Sequence, residues 1–105
     1  MPAAKPGEIW MVDLGMAAKV RPCLILTAQP RNDELDVFTM VAHTTAVRGN
    51  RWEVPIPKLF LDPDGAFDVQ RIATVASVKL ERKLGELTVS EMDAMLDRLA
   101  ERLGL

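Results

Sequence analysis

The chain of 105 residues is short of the side chains that most often carry enzyme chemistry: it holds one cysteine, Cys23, one histidine, His43, and no tyrosine. A single cysteine excludes an internal disulfide. Its place in the apolar run Pro22-Cys23-Leu24-Ile25-Leu26 marks a small buried thiol rather than a nucleophile. The usual Cys/His zinc sites are excluded with it, and no group of carboxylates has the spacing of a metal loop, so chemistry without metal or cofactor is expected. No apolar run approaches the roughly 20 residues of a membrane-spanning helix. The opening Met1 to Gly7, with Lys5 and two prolines, is not a secretory leader, and a reducing cytoplasm is the expected location.

Charge of one sign is also scarce. The net charge is −2 and the pI about 5.3, which argues against a protein that coats nucleic acid without selectivity. Residues 1 to 83 carry 11 basic and 10 acidic side chains, whereas residues 84 to 105 carry 2 basic and 5 acidic ones. The body is therefore near neutral and can still hold a local basic groove.

Nearly half the residues, 49%, are hydrophobic, enough for one core in a single domain spanning residues 1 to 105. Ile9 to Leu14 and Val20 to Thr27 are rich in β-branched and large apolar residues and bounded by Gly7, Gly15 and Pro30, which predicts two strands of a hairpin. In residues 36 to 45, Phe38, Met40 and Ala42 alternate with Thr39, Val41 and His43, so a strand with one face on the core and one toward a ligand is expected. Arg48-Gly49-Asn50 is turn chemistry, and Trp52 to Ile56 reads as an edge strand limited by Pro55 and Pro57. A second turn, Asp62-Pro63-Asp64-Gly65, precedes a β-rich run over 67 to 78, and residues 80 to 87 read as a connection.

Thr88 followed three residues later by Glu91 has the form of a capping box. Val89, Met92, Leu96, Leu99 and Leu103 then recur at spacings of three and four, an apolar stripe expected to dock on the sheet. About five short strands and one terminal helix, without a βαβ pattern, point to a mainly β fold: a small barrel or curled sheet with a C-terminal amphipathic helix.

Arg21 stands at the mouth of the second strand, before a proline that cannot donate to a neighbouring strand. A guanidinium fixed there offers several donors to one anion. The segments Gly7-Glu8-Ile9-Trp10-Met11-Val12-Asp13-Leu14 and Arg21-Pro22, in that order, resemble the MazF/PemK family of toxin endoribonucleases. Thr44-Thr45-Ala46-Val47-Arg48-Gly49 is similar to that family's T-(T/S)-x-x-(K/R)-G, and Lys83-Leu84-Gly85-Glu86-Leu87 to its closing (K/R)-(L/I)-G-x-L. The resemblance implies an SH3-like barrel, a homodimer, cleavage of single-stranded RNA, and a cognate antitoxin that lays an extended segment over the RNA groove. It also implies that Arg21 and Thr44 are catalytic. Thr45 is the alternative if the register slips by one residue, since a slip reverses the face.

Lys19, Arg48, Arg51 and Arg71 are candidate contacts to an RNA backbone, and Trp52 either stacks a base or packs in the core. Gln70 and Arg71 stand where the family often has Q-x-R, at a different spacing. His43 directly precedes Thr44, so a regular strand sets the two on opposite faces, and no family motif asks for it. The link Gly15 to Lys19 is short and has no acid, unlike the longer acidic loop of many relatives, which leaves no loop carboxylate for a base. The competing reading is a binding protein of the same fold, a gyrase poison that needs neither Arg21 nor Thr44, and a third is an RNA-binding module that has lost turnover.

Overall fold

The computed structural model describes residues 3–15 and 19–105. Met1 and Pro2 of the opening segment, and Met16 to Ala18 of the link whose shortness is noted above, lie outside the described residues. Six antiparallel strands form one sheet: β1 (Glu8–Asp13), β2 (Val20–Ile25), β3 (Val37–Thr44), β4 (Glu53–Val54), β5 (Ala66–Ala76) and β6 (Leu80–Glu86). Their order across the sheet is β4-β5-β3-β2-β1-β6, and the helix α1 (Val89–Leu103) follows. The fold is mainly β with one C-terminal helix, as expected; the sheet has two ends, β4 and β6, and is not closed into a barrel.

The expected hairpin is β1 with β2, in register from Ile9↔Leu24 to Asp13↔Val20. Residues 80 to 87 differ from expectation. They form β6, an edge strand paired with β1 from Glu8↔Glu86 to Val12↔Leu80, with two register shifts. The charged run Glu81-Arg82-Lys83 hides the alternation, because an edge strand with solvent beside it has no need of apolar residues there.

Both faces of the central strands are covered, unlike the one-sided pattern expected for β3. On one face Ile9, Leu24, Val41, Phe67 and Val69 pack with Ile56, Leu61, Leu87 and Met95. On the other, Val12, Cys23, Ile25, Phe38, Met40, Ala42 and Leu80 pack together with Ala4. Two-sided burial explains why β2 and β3 contain uninterrupted apolar stretches such as Cys23-Leu24-Ile25 and Met40-Val41-Ala42.

The capping box of α1 is formed. Thr88 Oγ1 accepts from the Glu91 N–H at 3.2 Å and Glu91 Oε1 accepts from the Thr88 N–H at 2.8 Å. Lys58 Nζ lies 2.7 Å from the same Glu91 carboxylate and ties the segment after β4 to the helix start. The apolar stripe is split, however. Met92, Met95 and Leu99 meet the core, whereas Val89, Leu96 and Leu103 are exposed. Among the described residues no helix is long and apolar enough to cross a membrane.

Candidate functional site

Arg21 is the second residue of β2, half-buried, and opposite Val12 of β1. On its other side β2 pairs with β3 through Cys23↔Ala42, Leu24↔Val41 and Ile25↔Met40. The pairing ends at Cys23↔Ala42; Arg21 lies two residues before Cys23 and Thr44 two residues after Ala42, so both stand at the same end of the β2–β3 pair. The Arg21 charge reaches Cys23, where burial pushes the thiol up to about 12 and the guanidinium opposes the rise. Such a thiol is uncharged and unreactive at neutral pH, as its apolar setting in the sequence implied.

Thr44 ends β3 opposite Ala66 of β5 and is 1% exposed. Its Oγ1 accepts from the Ala46 N–H at 3.0 Å, which leaves the hydroxyl hydrogen to be donated. Thr45 lies beyond the strand and is exposed. His43 is on the opposite face, edge-on to Phe67 with ring centroids 5.0 Å apart. Burial pushes its pKa down, while the charge of Asp62 opposes this. Its ring is flanked by Gly65, where a Cβ would run into the imidazole and into the Thr44 carbonyl oxygen. Only glycine lets the 62–65 turn approach the end of β3 so closely.

Beside the strand end lies a cleft of about 260 Å³ lined by Ala46, Arg48, Asn50, Glu53, Asp68, Gln70 and Arg71. It brings together three of the residues singled out in the sequence: Arg48, Gln70 and Arg71. Arg71 Nε is 3.4 Å from the Asp68 carboxylate, and Gln70 Oε1 accepts from Asn50 Nδ2 at 3.2 Å. Gln70 and Arg71 sit in an irregularity of β5, where two steps on β3 (Val41 to His43) face five on β5 (Ile72 to Phe67). Such a bulge turns side chains out of the ladder toward a site.

Three candidates lie elsewhere. Lys19, exposed, has a left-handed backbone (φ 58°) at the start of β2. Arg51 turns toward α1, where its Nη1 is 3.1 Å from Glu101 Oε1. Trp52 packs against the core with the Arg51 guanidinium 4.1 Å and that of Arg102 5.3 Å from its ring centre. Its aromatic surface is thus engaged by the chain's own cations, a favourable cation–π arrangement.

The sequence reading overlooked Asn50, Glu53 and Asp68. Glu53 accepts from three successive backbone N–H groups, Arg48 at 2.8 Å on one oxygen and Gly49 at 2.6 Å and Asn50 at 2.9 Å on the other. The Arg48 N–H, together with those of Asn50 and Gly49 and the Arg48 charge, holds its carboxyl below the ordinary range. A carboxylate three residues beyond an Arg-Gly-Asn turn is the available signal, because such turns present clustered N–H donors to an anion.

Residues 5–103 match the family of PemK-like, MazF-like toxins of type II toxin-antitoxin systems, and the chain belongs to that family. Solved structures agree. A Mycobacterium tuberculosis toxin, MazF-mt6, is 28% identical with a TM-score of 0.79, over 93% of this chain and 97% of that one. A mycobacterial endoribonuclease in complex with its cognate antitoxin is 29% identical with a TM-score of 0.80, over 98% and 97%. MazF from Deinococcus radiodurans shares the fold at 17% identity, with a TM-score of 0.79 over the whole of both chains. No curated protein matches the sequence.

Proposed function

We propose that this toxin is an endoribonuclease that cleaves single-stranded RNA, selectively in sequence and without a metal ion, from the cytoplasm of the cell that makes it. The observation that supports this reading is the end of β3, where Thr44 stands two residues before Ala46 of the Arg48, Gln70 and Arg71 cleft, and Arg21 lies two residues from the last β2–β3 pair, Cys23↔Ala42. The ribose 2′-OH attacks the adjacent phosphorus as the bond to the 5′-oxygen breaks. The 2′-hydroxyl gives up its proton, the leaving 5′-oxygen gains one, and a 2′,3′-cyclic phosphate results. Charge grows on the phosphoryl oxygens in this step, and the Arg21 guanidinium with the Thr44 hydroxyl supplies donors to them.

Arg48, Gln70 and Arg71 contact the flanking RNA, with Lys19 and Thr45 at its margin. Arg51 and Trp52, engaged with α1 and the core, contribute to the shape of the 48–53 turn. Unstacked single-stranded bases expose the edges that selective cleavage must read. We also assign the chain a cognate antitoxin, in keeping with the antitoxin complexes of its structural relatives, and, as the family resemblance implies, a homodimeric state.

The test is to incubate the protein with a long single-stranded RNA in EDTA and map the cuts, comparing Arg21→Ala, Thr44→Val and Thr45→Ala. Cutting that disappears in the first two and persists in the third is expected. An intact RNA, with gyrase inhibited instead, would replace this reading with that of a binding toxin. Undiminished cutting by Thr44→Val assigns the Thr44 hydroxyl to its hydrogen bond with Ala46 alone.

A further inference from the structure

The turn between β3 and β4 carries one end of the cleft, yet no apolar side chain of the Arg48-Gly49-Asn50 segment is buried to hold it. Its three successive N–H groups are held by one carboxylate. Glu53 belongs to β4 and is anchored in the sheet opposite Asp68 of β5. From there it takes the N–H groups of Arg48, Gly49 and Asn50 at 2.8, 2.6 and 2.9 Å. Gly49, with φ at +79°, supplies the left-handed backbone that lets successive N–H groups converge on one anion. The hold continues outward. Asn50 Oδ1 accepts from the Trp52 N–H at 3.0 Å, and its Nδ2 donates to Gln70 across the cleft. At the other end the Ala46 N–H is tied to Thr44 Oγ1.

We propose that Glu53 is a positioning residue for RNA binding: its carboxylate occupies an anion cradle built by the Arg48-Gly49-Asn50 backbone, and thereby fixes the Arg48 guanidinium at the cleft. This rests on the ribonuclease reading above. Charge-assisted bonds of this kind are stronger than neutral ones, and here three converge on a strand-anchored group. Glu53 acts through Arg48, since its carboxylate oxygens are taken up by the three backbone N–H groups. Its loss frees Arg48 to wander and weakens substrate binding, while Arg21 stays in place on β2.

Because the cradle is an anion site, the test is chemical rescue. In Glu53→Ala the backbone amide resonances of residues 48 to 50 shift, and sodium formate returns them saturably toward their original positions. Sodium chloride at the same ionic strength does not. With RNA as substrate the KM of Glu53→Ala rises about tenfold, the equivalent of one lost charged contact, with kcat little changed, and formate lowers it again. Glu53→Gln keeps one acceptor oxygen and turns an amide donor against the remaining N–H groups, so it falls between parent and Glu53→Ala and decides the matter if the alanine variant does not fold.

Amides of residues 48 to 50 that ignore the substitution, or that recover equally in chloride, overturn the proposal. So does an unchanged KM in a parent that cuts RNA. A parent that cuts no RNA defeats the ribonuclease reading instead, and the amide measurement alone then decides whether Glu53 holds the turn.

Discussion

Arg21 differs from a lysine in the same place by geometry rather than charge. In the proposed reaction its planar fork offers parallel donors to two oxygens of one phosphoryl group, where an ammonium would offer a point charge. Arg21→Lys is therefore expected to lower kcat by about 10² with a smaller change in KM, read from single-turnover cleavage of a short RNA. Gly65→Ala tests the approach of the 62–65 turn to the end of β3. Its methyl group meets the His43 ring and the Thr44 carbonyl, and the forced shift should cost about 1–3 kcal/mol in urea unfolding. The place of Arg21 near the start of β2 was legible, because an arginine before a proline at a strand start is odd enough to ask for a reason. Glu53 was not, because it works by accepting backbone N–H groups, and no side-chain pattern records where those point.

At the level of elements, α1 shows how a correct period leads to a partly wrong face. Val89, Leu96 and Leu103 are spaced by seven, and a straight helix of 3.6 residues per turn drifts away from a seven-residue repeat. The buried line instead runs through Met92, Met95 and Leu99, and Met95, at 1% exposure, is the most deeply placed helix residue. Met95→Ala should cost about 2–5 kcal/mol. Leu96→Ala, at a position 44% exposed, should stay within roughly 0.5 kcal/mol in the same denaturant titration. A reversed order would return the helix to the orientation its heptad spacing implies. The hairpin, the edge position of β4 and the helix cap were all legible, since turn residues, prolines and Thr88-x-x-Glu91 act locally. Strand β6 was not, because its pairing with β1 lies about 70 residues away in sequence.

For the molecule as a whole, acid is the condition that discriminates. Glu8 is 7% exposed, and burial alone would raise its pKa. The indole N–H of Trp10 and the ammonium of Lys83, each at 3.0 Å, with the Lys5 N–H, outweigh burial and hold the carboxyl below 4.5. Glu91 is held low in the same way by Lys58 and the Thr88 N–H. Each group binds its proton less readily in the folded chain than in the unfolded one. The stability they contribute is complete above pH 4.5 and is lost as the pH falls through their lower folded-state values. Urea midpoints should begin to fall as the pH drops below 6.5, where His43 takes up its proton more readily in the unfolded chain, and fall further below 4.5, and in Glu8→Gln the second drop should be shallower. A midpoint that rises on acidification would reverse the assignment.

The open sheet has one more consequence. A sheet with two free ends invites another chain to add a strand, the first step toward aggregation. Here both ends are guarded. β4 is two residues long and followed at once by Pro55 and Pro57, and β6 carries Glu81, Arg82, Lys83 and Glu86 along its length. At these edges a newly made copy therefore presents neighbouring copies with a stub and a row of charges, and the same two edges that leave the sheet unclosed disfavour the addition of a strand.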